Sequence, residues 1–211
     1  MQQVVVVGGG GHAKVIIELL EESGNFDIVA CTASRSDTPA VLDVPIVGDD
    51  SQLPGMFAAG VRNAFVAIGN NRLRRSLTHH VVSLGFNLIN AVSRRAVISR
   101  RAEVGNGVAI MAGAVINSCT RIGTGGIVNT GATVDHDCNI GDWVHIAPGA
   151  NLAGCVSIGE GAFLGIGSRI IPGISIGEWS TVGAGAVVIR SLPSAVTAVG
   201  VPARITTRPK I

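Results

Sequence analysis

The segment Val134-Asp135-His136-Asp137-Cys138 sets an imidazole between two carboxylates, and a second histidine, His145, follows soon after. A histidine with an acid beside it is the ordinary equipment of a general base, because the acid fixes one ring nitrogen and makes the other more basic. Asp137 or Asp135 could fill that role. Gly154 offers a backbone N–H with no side chain in front of it, the kind of donor that stabilises a developing oxyanion. His136, Asp137 and Gly154 together would suit acyl transfer. A solvated histidine in a polar turn has the same residue types, and these alone do not separate the two readings. Cys138 and Cys155 add a second route, through a thioester on sulfur.

For these groups to meet, the fold must place Gly154 beside His136 across eighteen positions. The repeat does this. An aliphatic residue occupies position 92 and every sixth position after it, through Ile98, Val104, Ile110, Ile116 and onward to Val182 and Val188. Four places after most of them sits a small residue, as at Ala114, Ala132, Cys138, Ala150 and Ala162. Glycine recurs every eighteen residues, at Gly105, Gly123, Gly141, Gly159 and Gly177. A six-residue period fits neither a helix nor a lone strand. Three hexads per coil describe a parallel β-helix, a triangular prism of about five coils with its aliphatics inward. Residues eighteen apart then stack, so Ser118, His136, Gly154 and Pro172 form one column. Cys138 falls on a small inward position, which argues against it as a nucleophile. Cys155 stacks one coil from Asp137 and stays open to that role. Outward apolar residues such as Ile127, Trp143 and Phe163 are expected to be exposed in a monomer and to call for a partner.

Before the repeat, strand-like and helix-like runs alternate. "VVVV" (Val4 to Val7) reads as a buried strand and "GGGG" (Gly8 to Gly11) as a turn. "HAKVIIELLEESG" reads as a helix closed by Gly24, "DIVAC" and "AFVAIG" as further strands, and Asn70 opens another helix. This alternation predicts a small parallel sheet with crossover helices, a Rossmann-like half. Gly8-x-Gly10-x-x-Ala13 fits the dinucleotide fingerprint, but residues 31–34 read Cys-Thr-Ala-Ser, without the acid such a site carries at the end of its second strand. NAD is therefore disfavoured, while a phosphate at the helix N-terminus still fits. The expected division is residues 1–90 for this domain, 91–190 for the β-helix and 191–211 for a tail that caps the last coil.

Composition excludes several classes. The 211 residues include 29 glycines, no tyrosine and a formal net charge of only +2. The paired arginines at 94–95 and 100–101 match no nucleic-acid motif. Cys31, Cys119, Cys138 and Cys155 show neither metal nor disulfide spacing. No run reaches membrane-spanning length, and the N-terminus does not read as a signal peptide, so a soluble cytoplasmic location is expected.

The ordered set "VVVVGGGGHAKV", "VPIVGDD", "FVAIGNNRLR", "VDHDCNIGDWVHIAPGA", "FLGIGSRIIPGISIG" and "AVGVPAR" resembles the hexapeptide-repeat acetyltransferases of nucleotide-linked 4-amino-4,6-dideoxy sugars, the bacillosamine and perosamine type. It is also similar to the sialic-acid O-acetyltransferases. The resemblance spans nearly the whole chain. It implies a left-handed hand for the β-helix, a homotrimer and a place in glycan biosynthesis. It further implies acetyl-CoA as co-substrate, a nucleotide-linked amino sugar as acceptor and no metal. By resemblance, His136 is the base, Asp137 its acid, and His145, Ile166 and Ala184 lie at the CoA. Gly10, Gly11, His12, Thr32, Gly69 and Asn70 would meet the nucleotide sugar. Many relatives carry aspartates at the positions of residues 31–34, so their absence leaves the nucleoside contact unexplained. Two other classes compete: a non-catalytic nucleotide-sugar-binding solenoid, and a γ-type carbonic anhydrase. The latter needs three zinc histidines, whereas the repeat holds two.

Overall fold

The computed structural model describes residues 1–34 and 38–207, which divide into two compact units between Arg94 and Arg95. In the first, β1 (Gln2–Val7), β2 (Phe26–Thr32), β3 (Ala40–Val41), β4 (Val44–Pro45), β5 (Asn63–Val66) and β6 (Asn87–Leu88) alternate with α1 (Gly11–Ser23), α2 (Leu53–Ala58) and α3 (Asn71–Ser83). The main sheet has the order β2-β1-β5-β6, all parallel, and β3 pairs with β4 as a small antiparallel hairpin. Val4 to Val7 are all buried, as a central strand covered on both faces requires. One face packs Val5, Val7, Ala64 and Val66 against Leu53, Val81 and Phe86. Helix α1 ends where Gly24 takes the left-handed conformation and its N–H donates to Glu21 O. Asn70 caps α3, its side chain accepting from the Leu73 N–H at 3.0 Å.

The second unit is a β-solenoid. Each hexad contributes a two-residue strand, and each strand pairs in parallel with the one eighteen residues later, as Thr133↔Asn151 and Asn139↔Ser157 do. One face is a six-stranded sheet from Val97–Ile98 to Val187–Val188 and another a five-stranded sheet from Glu103–Val104 to Ser175–Ile176. The third runs through Ala109–Ile110, Ile127–Val128, His145–Ile146, Phe163–Leu164 and Thr181–Val182 to Thr197–Val199. Every period-six aliphatic from Ile110 to Val188 is buried, while Ile98 and Val104 in the first coil are half-buried. The eighteen-residue glycine column marks where coils approach most closely. A Cβ at Gly123 would lie 2.6 Å from Asp142 N, and one at Gly159 2.5 Å from Glu178 N.

Two details differ from expectation. The tail prolongs the solenoid: Leu192 bridges Ile176, and Thr197 and Ala198 pair with Thr181 and Val182, sixteen residues rather than eighteen along the chain. Arg204–Thr207 then folds back antiparallel on Thr197–Val199. Residues 208–211 lie outside the described residues. Secondly, Ile127 and Trp143 are not exposed. Both are buried in the single chain, and Phe163 is half-buried. Trp143 sits in a left-handed turn with its indole over Gly125 of the preceding coil, where a Cβ would meet Cδ1 at 2.7 Å. Ile127 lies between Ala109 and His145 on its ladder.

Candidate active site

His136 and Asp137 form the corner between the strands Thr133–Val134 and Asn139–Ile140. Ladder hydrogen bonds hold this corner in register with those before and after it. Asp137 N–H donates to Ser118 O at 3.1 Å and Cys155 N–H to His136 O at 2.9 Å. The second residue of this corner is left-handed in four successive coils, at Cys119, Asp137, Cys155 and Gly173, and only the last of these is a glycine. An L-residue is uncommon in that conformation, although aspartate tolerates it.

The geometry chooses between the two candidate acids. His136 Nδ1 lies 2.8 Å from Asp137 Oδ2. Asp135 Oδ1 is instead occupied by the His136 backbone N–H and by Asn117 Nδ2, each at 2.8 Å. Those two hydrogen bonds, that of Asn117 first, hold Asp135 below the usual carboxylate range. The hydrogen bond to Asp137, and then the charge of Asp135, raise the basicity of the His136 imidazole. With Nδ1–H donated to Asp137, Nε2 carries the free lone pair. The ring lies directly over Gly154, whose Cβ, were there one, would sit 2.6 Å from Cε1 and 2.7 Å from Nε2. His136, Asp137 and Gly154 are thus brought together as the eighteen-residue stacking predicts.

Cys155 joins them. Donor atoms of His136, Asp137 and Cys155 lie within 4.8 Å of one another, the one group among the described residues with donors converging as a metal requires, and all three residues are exposed. Cys138 is buried, its Sγ 3.3 Å from Ala153 O, and burial raises its pKa. A thiol held neutral is a poor nucleophile.

His145 stands elsewhere, on a strand of the third face. Its Nε2 lies 3.1 Å from Asn129 Nδ2, and its ring meets Phe163 edge-on at 5.2 Å. Ile166 and Ala184 are exposed and stacked one coil apart at another corner, where the Gly185 N–H donates to Ile166 O.

In the first unit a cavity of about 300 Å³ opens beside the β1–α1 turn, with Gly10, Thr32, Asp50 and Leu73 among its walls. The glycines of the turn divide by role. Gly8 has φ +129° and a Cβ there would meet Ala67 O at 2.8 Å, while one on Gly9 would meet Ala33 Cβ at the same distance. Those two are required by the fold. Gly10 and Gly11 face open space, as does Gly69. Thr32 lines the cavity, whereas Gly11, His12, Gly69 and Asn70 lie outside its walls. The Asn70 side chain is used in capping α3.

Sequence reading missed two residues here. Arg74 is fully buried, donating from Nη1 to Ile68 O and Gly69 O and from Nη2 to Asn71 Oδ1, and so pins the β5–α3 turn. Burial lowers its pKa to about 10, which leaves it cationic at neutral pH. Burial and then this charge push His12 down to about 4, so its imidazole is neutral there. The signal was present in α3: its buried stripe, Asn71, Arg74, Thr78 and Val81, has helical spacing but polar residues where a core stripe would be apolar. The second is Asp50. Its Oδ1 accepts from the Thr32 hydroxyl at 2.6 Å, so an acid does stand at the end of β2, although residues 31–34 contain none.

The two units match different known domains. Residues 3–81 match the PglD N-terminal domain and residues 155–190 the bacterial transferase hexapeptide (six repeats). A histidine variant of perosamine N-acetyltransferase from Caulobacter crescentus, in complex with CoA and GDP-perosamine, is 49% identical. It superposes with TM-score 0.93 over 99% of this chain and 98% of that one. The acetyltransferase domain of PglB from Neisseria gonorrhoeae FA1090 is 36% identical, with TM-score 0.93 over 97% and 100% of the two chains. UDP-N-acetylbacillosamine N-acetyltransferase of Bacillus subtilis (strain 168) is 40% identical over 113 residues, 53% of this chain and 52% of that protein, so the match spans about half of that relative's length. A glycine-turn α/β unit, a β-solenoid of hexads with a histidine–carboxylate corner, and full-length likeness at such identity lead to one assignment: the chain belongs to the hexapeptide-repeat N-acetyltransferases of the perosamine and bacillosamine type.

Proposed function

We propose that the chain transfers the acetyl group of acetyl-CoA to the 4-amino group of a nucleotide-linked 4-amino-4,6-dideoxy sugar. The observation that carries this reading is the His136–Asp137 pair at 2.8 Å, with the ring held over Gly154 and Nε2 free. The neutral amine attacks the thioester carbonyl carbon, forming the C–N bond. His136 Nε2 takes the amine proton, and Asp137 stabilises the imidazolium. The Gly154 N–H is the proposed donor to the tetrahedral oxyanion. Collapse breaks the C–S bond, and the imidazolium returns its proton to the departing CoA sulfur. Direct transfer needs no cysteine, so Cys155→Ala is expected to remain active.

The nucleotide sugar is assigned to the first unit. A diphosphate suits Gly10 and Gly11 at the α1 N-terminus, and Arg74 adds a permanent positive charge to that unit. His145, Ile166 and Ala184 are assigned to CoA, which can lie along the exposed aliphatics of the solenoid. We further propose a cytoplasmic homotrimer. Val97, Ile166, Ile171 and Ile189 leave apolar side chains on the solenoid surface of a single chain. Among the described residues no helix is long and apolar enough to cross a membrane.

The test is release of free CoA thiol when the full chain receives acetyl-CoA with UDP-, GDP- or dTDP-linked 4-amino sugars. Release with one of them, lowered roughly 10²–10⁴-fold by His136→Ala, is the expected outcome. Failure to acetylate any of these amines would overturn the reading. Near-wild-type turnover in His136→Ala would remove the histidine from the mechanism.

A further inference from the structure

We infer that Asp50 is the ribose-binding carboxylate of the nucleotide site, so that the chain selects ribonucleotide sugars and rejects 2′-deoxyribonucleotide ones such as dTDP sugars. The inference rests on the assignment of the nucleotide sugar to the first unit and adds which nucleotides that site accepts.

Three observations converge. First, the glycine turn and the acid are neighbours. The Gly8 N–H donates to Thr32 O at 2.8 Å, and Thr32 in turn donates its hydroxyl to Asp50 Oδ1 at 2.6 Å. Second, Thr32 is fully buried and ends β2, so its hydroxyl fixes the position of the carboxylate, and Asp50 and Gly10 line the same cavity. Third, the acid reaches this place from a distant part of the chain. The β3–β4 hairpin returns the backbone so that Cys31 bridges Ile46, and the Ala33 N–H donates to Gly48 O just before Asp50.

Chemistry identifies the group that Asp50 meets. A carboxylate accepts hydrogen bonds and donates none, so it repels the diphosphate and needs a neutral donor nearby. The ribose is linked to the α-phosphate through one methylene and presents two vicinal hydroxyls. The base lies further off, beyond the far side of the sugar. In parallel α/β nucleotide sites an acid at the end of the second strand takes the ribose hydroxyls. In this chain the backbone brings such an acid from residue 50 to a strand end that lacks one. Without the 2′-hydroxyl the carboxylate loses a charge-assisted hydrogen bond inside the cavity, roughly a 10- to 100-fold loss of affinity.

Calorimetric titration of the full chain with GDP, 2′-deoxy-GDP, UDP and 2′-deoxy-UDP tests this. Wild type is expected to bind each ribonucleotide roughly 10- to 100-fold more tightly than its deoxy partner, whichever base is present. Asp50→Ala should bring each pair to near-equal affinity by weakening the ribonucleotide alone. Asp50→Asn, which keeps an oxygen for Thr32, should retain part of the discrimination and guards against a folding defect in the alanine variant. Equal affinity within both pairs for wild type, or full discrimination persisting in Asp50→Ala, overturns the role of Asp50 while leaving the nucleotide site standing. Binding of none of the four nucleotides overturns the site itself.

Discussion

Gly154→Ala isolates the stacking on which the base depends. A methyl at this position would lie 2.6 Å from His136 Cε1 and 2.7 Å from Nε2, where ordinary contact begins at 3.4 Å. The ring must therefore retreat by about 0.8 Å or swing aside, and a displacement near 1 Å of a reacting group costs on the order of 10²-fold in rate. The fold should tolerate the change. Gly154 is not in the left-handed region, and the group that must yield is the far end of an exposed side chain. Gly154 itself is buried, but the atoms nearest the added methyl are those of the exposed His136 ring, which can swing away, so the melting temperature should fall by no more than about 4 °C. Thiol release under saturating substrates should show kcat down roughly 10²-fold with both KM values little changed. In a His136→Ala background the same substitution should add little, because the ring it displaces is gone. Wild-type kcat in a folded Gly154→Ala variant would refute the base position assigned to His136.

Three further outcomes are expected. His136 must be neutral to accept a proton, so activity rises with pH through its pKa, which Asp137 raises. Asp137→Asn, compatible with the left-handed turn, should move that acid limb to lower pH and lower the plateau by roughly 10-fold, and a limb that stays in place would remove Asp137 from the role. Gly10→Val adds a side chain in open space at ordinary dihedrals, so circular dichroism should be unchanged. Its KM for the nucleotide sugar should rise about 10-fold or more while that for acetyl-CoA holds, and a joint rise would show that the two sites are not separate. Light scattering at micromolar concentration should give three times the 21.5 kDa chain mass, and a stable monomer would sink the trimer.

The solenoid was legible in the sequence because its information is periodic. Each hexad meets the same environment, so Ile116, Val134 and Leu152 announce one inward face, and residues eighteen apart must stack whatever else the chain does. That spacing alone placed Gly154 beside His136. The first unit was legible where propensity is local: the valine run of β1, the cap at Asn70, the stop at Gly24. Tertiary structure decided the rest. Asp135 and Asp137 flank His136 equally in sequence, and only the left-handed turn at Asp137 gives it the ring nitrogen while Asn117 and a backbone N–H occupy Asp135. Trp143 looks outward by register, yet its ring folds over a glycine one coil away. Arg74 reads as one of several helix arginines until the fold buries it against Ile68 and Gly69. Asp50 supplies the acid that residues 31–34 lack because the β3–β4 hairpin turns the chain back to Thr32. Such contacts join residues with no common period, and their partners are set by where the backbone returns, which no local pattern records.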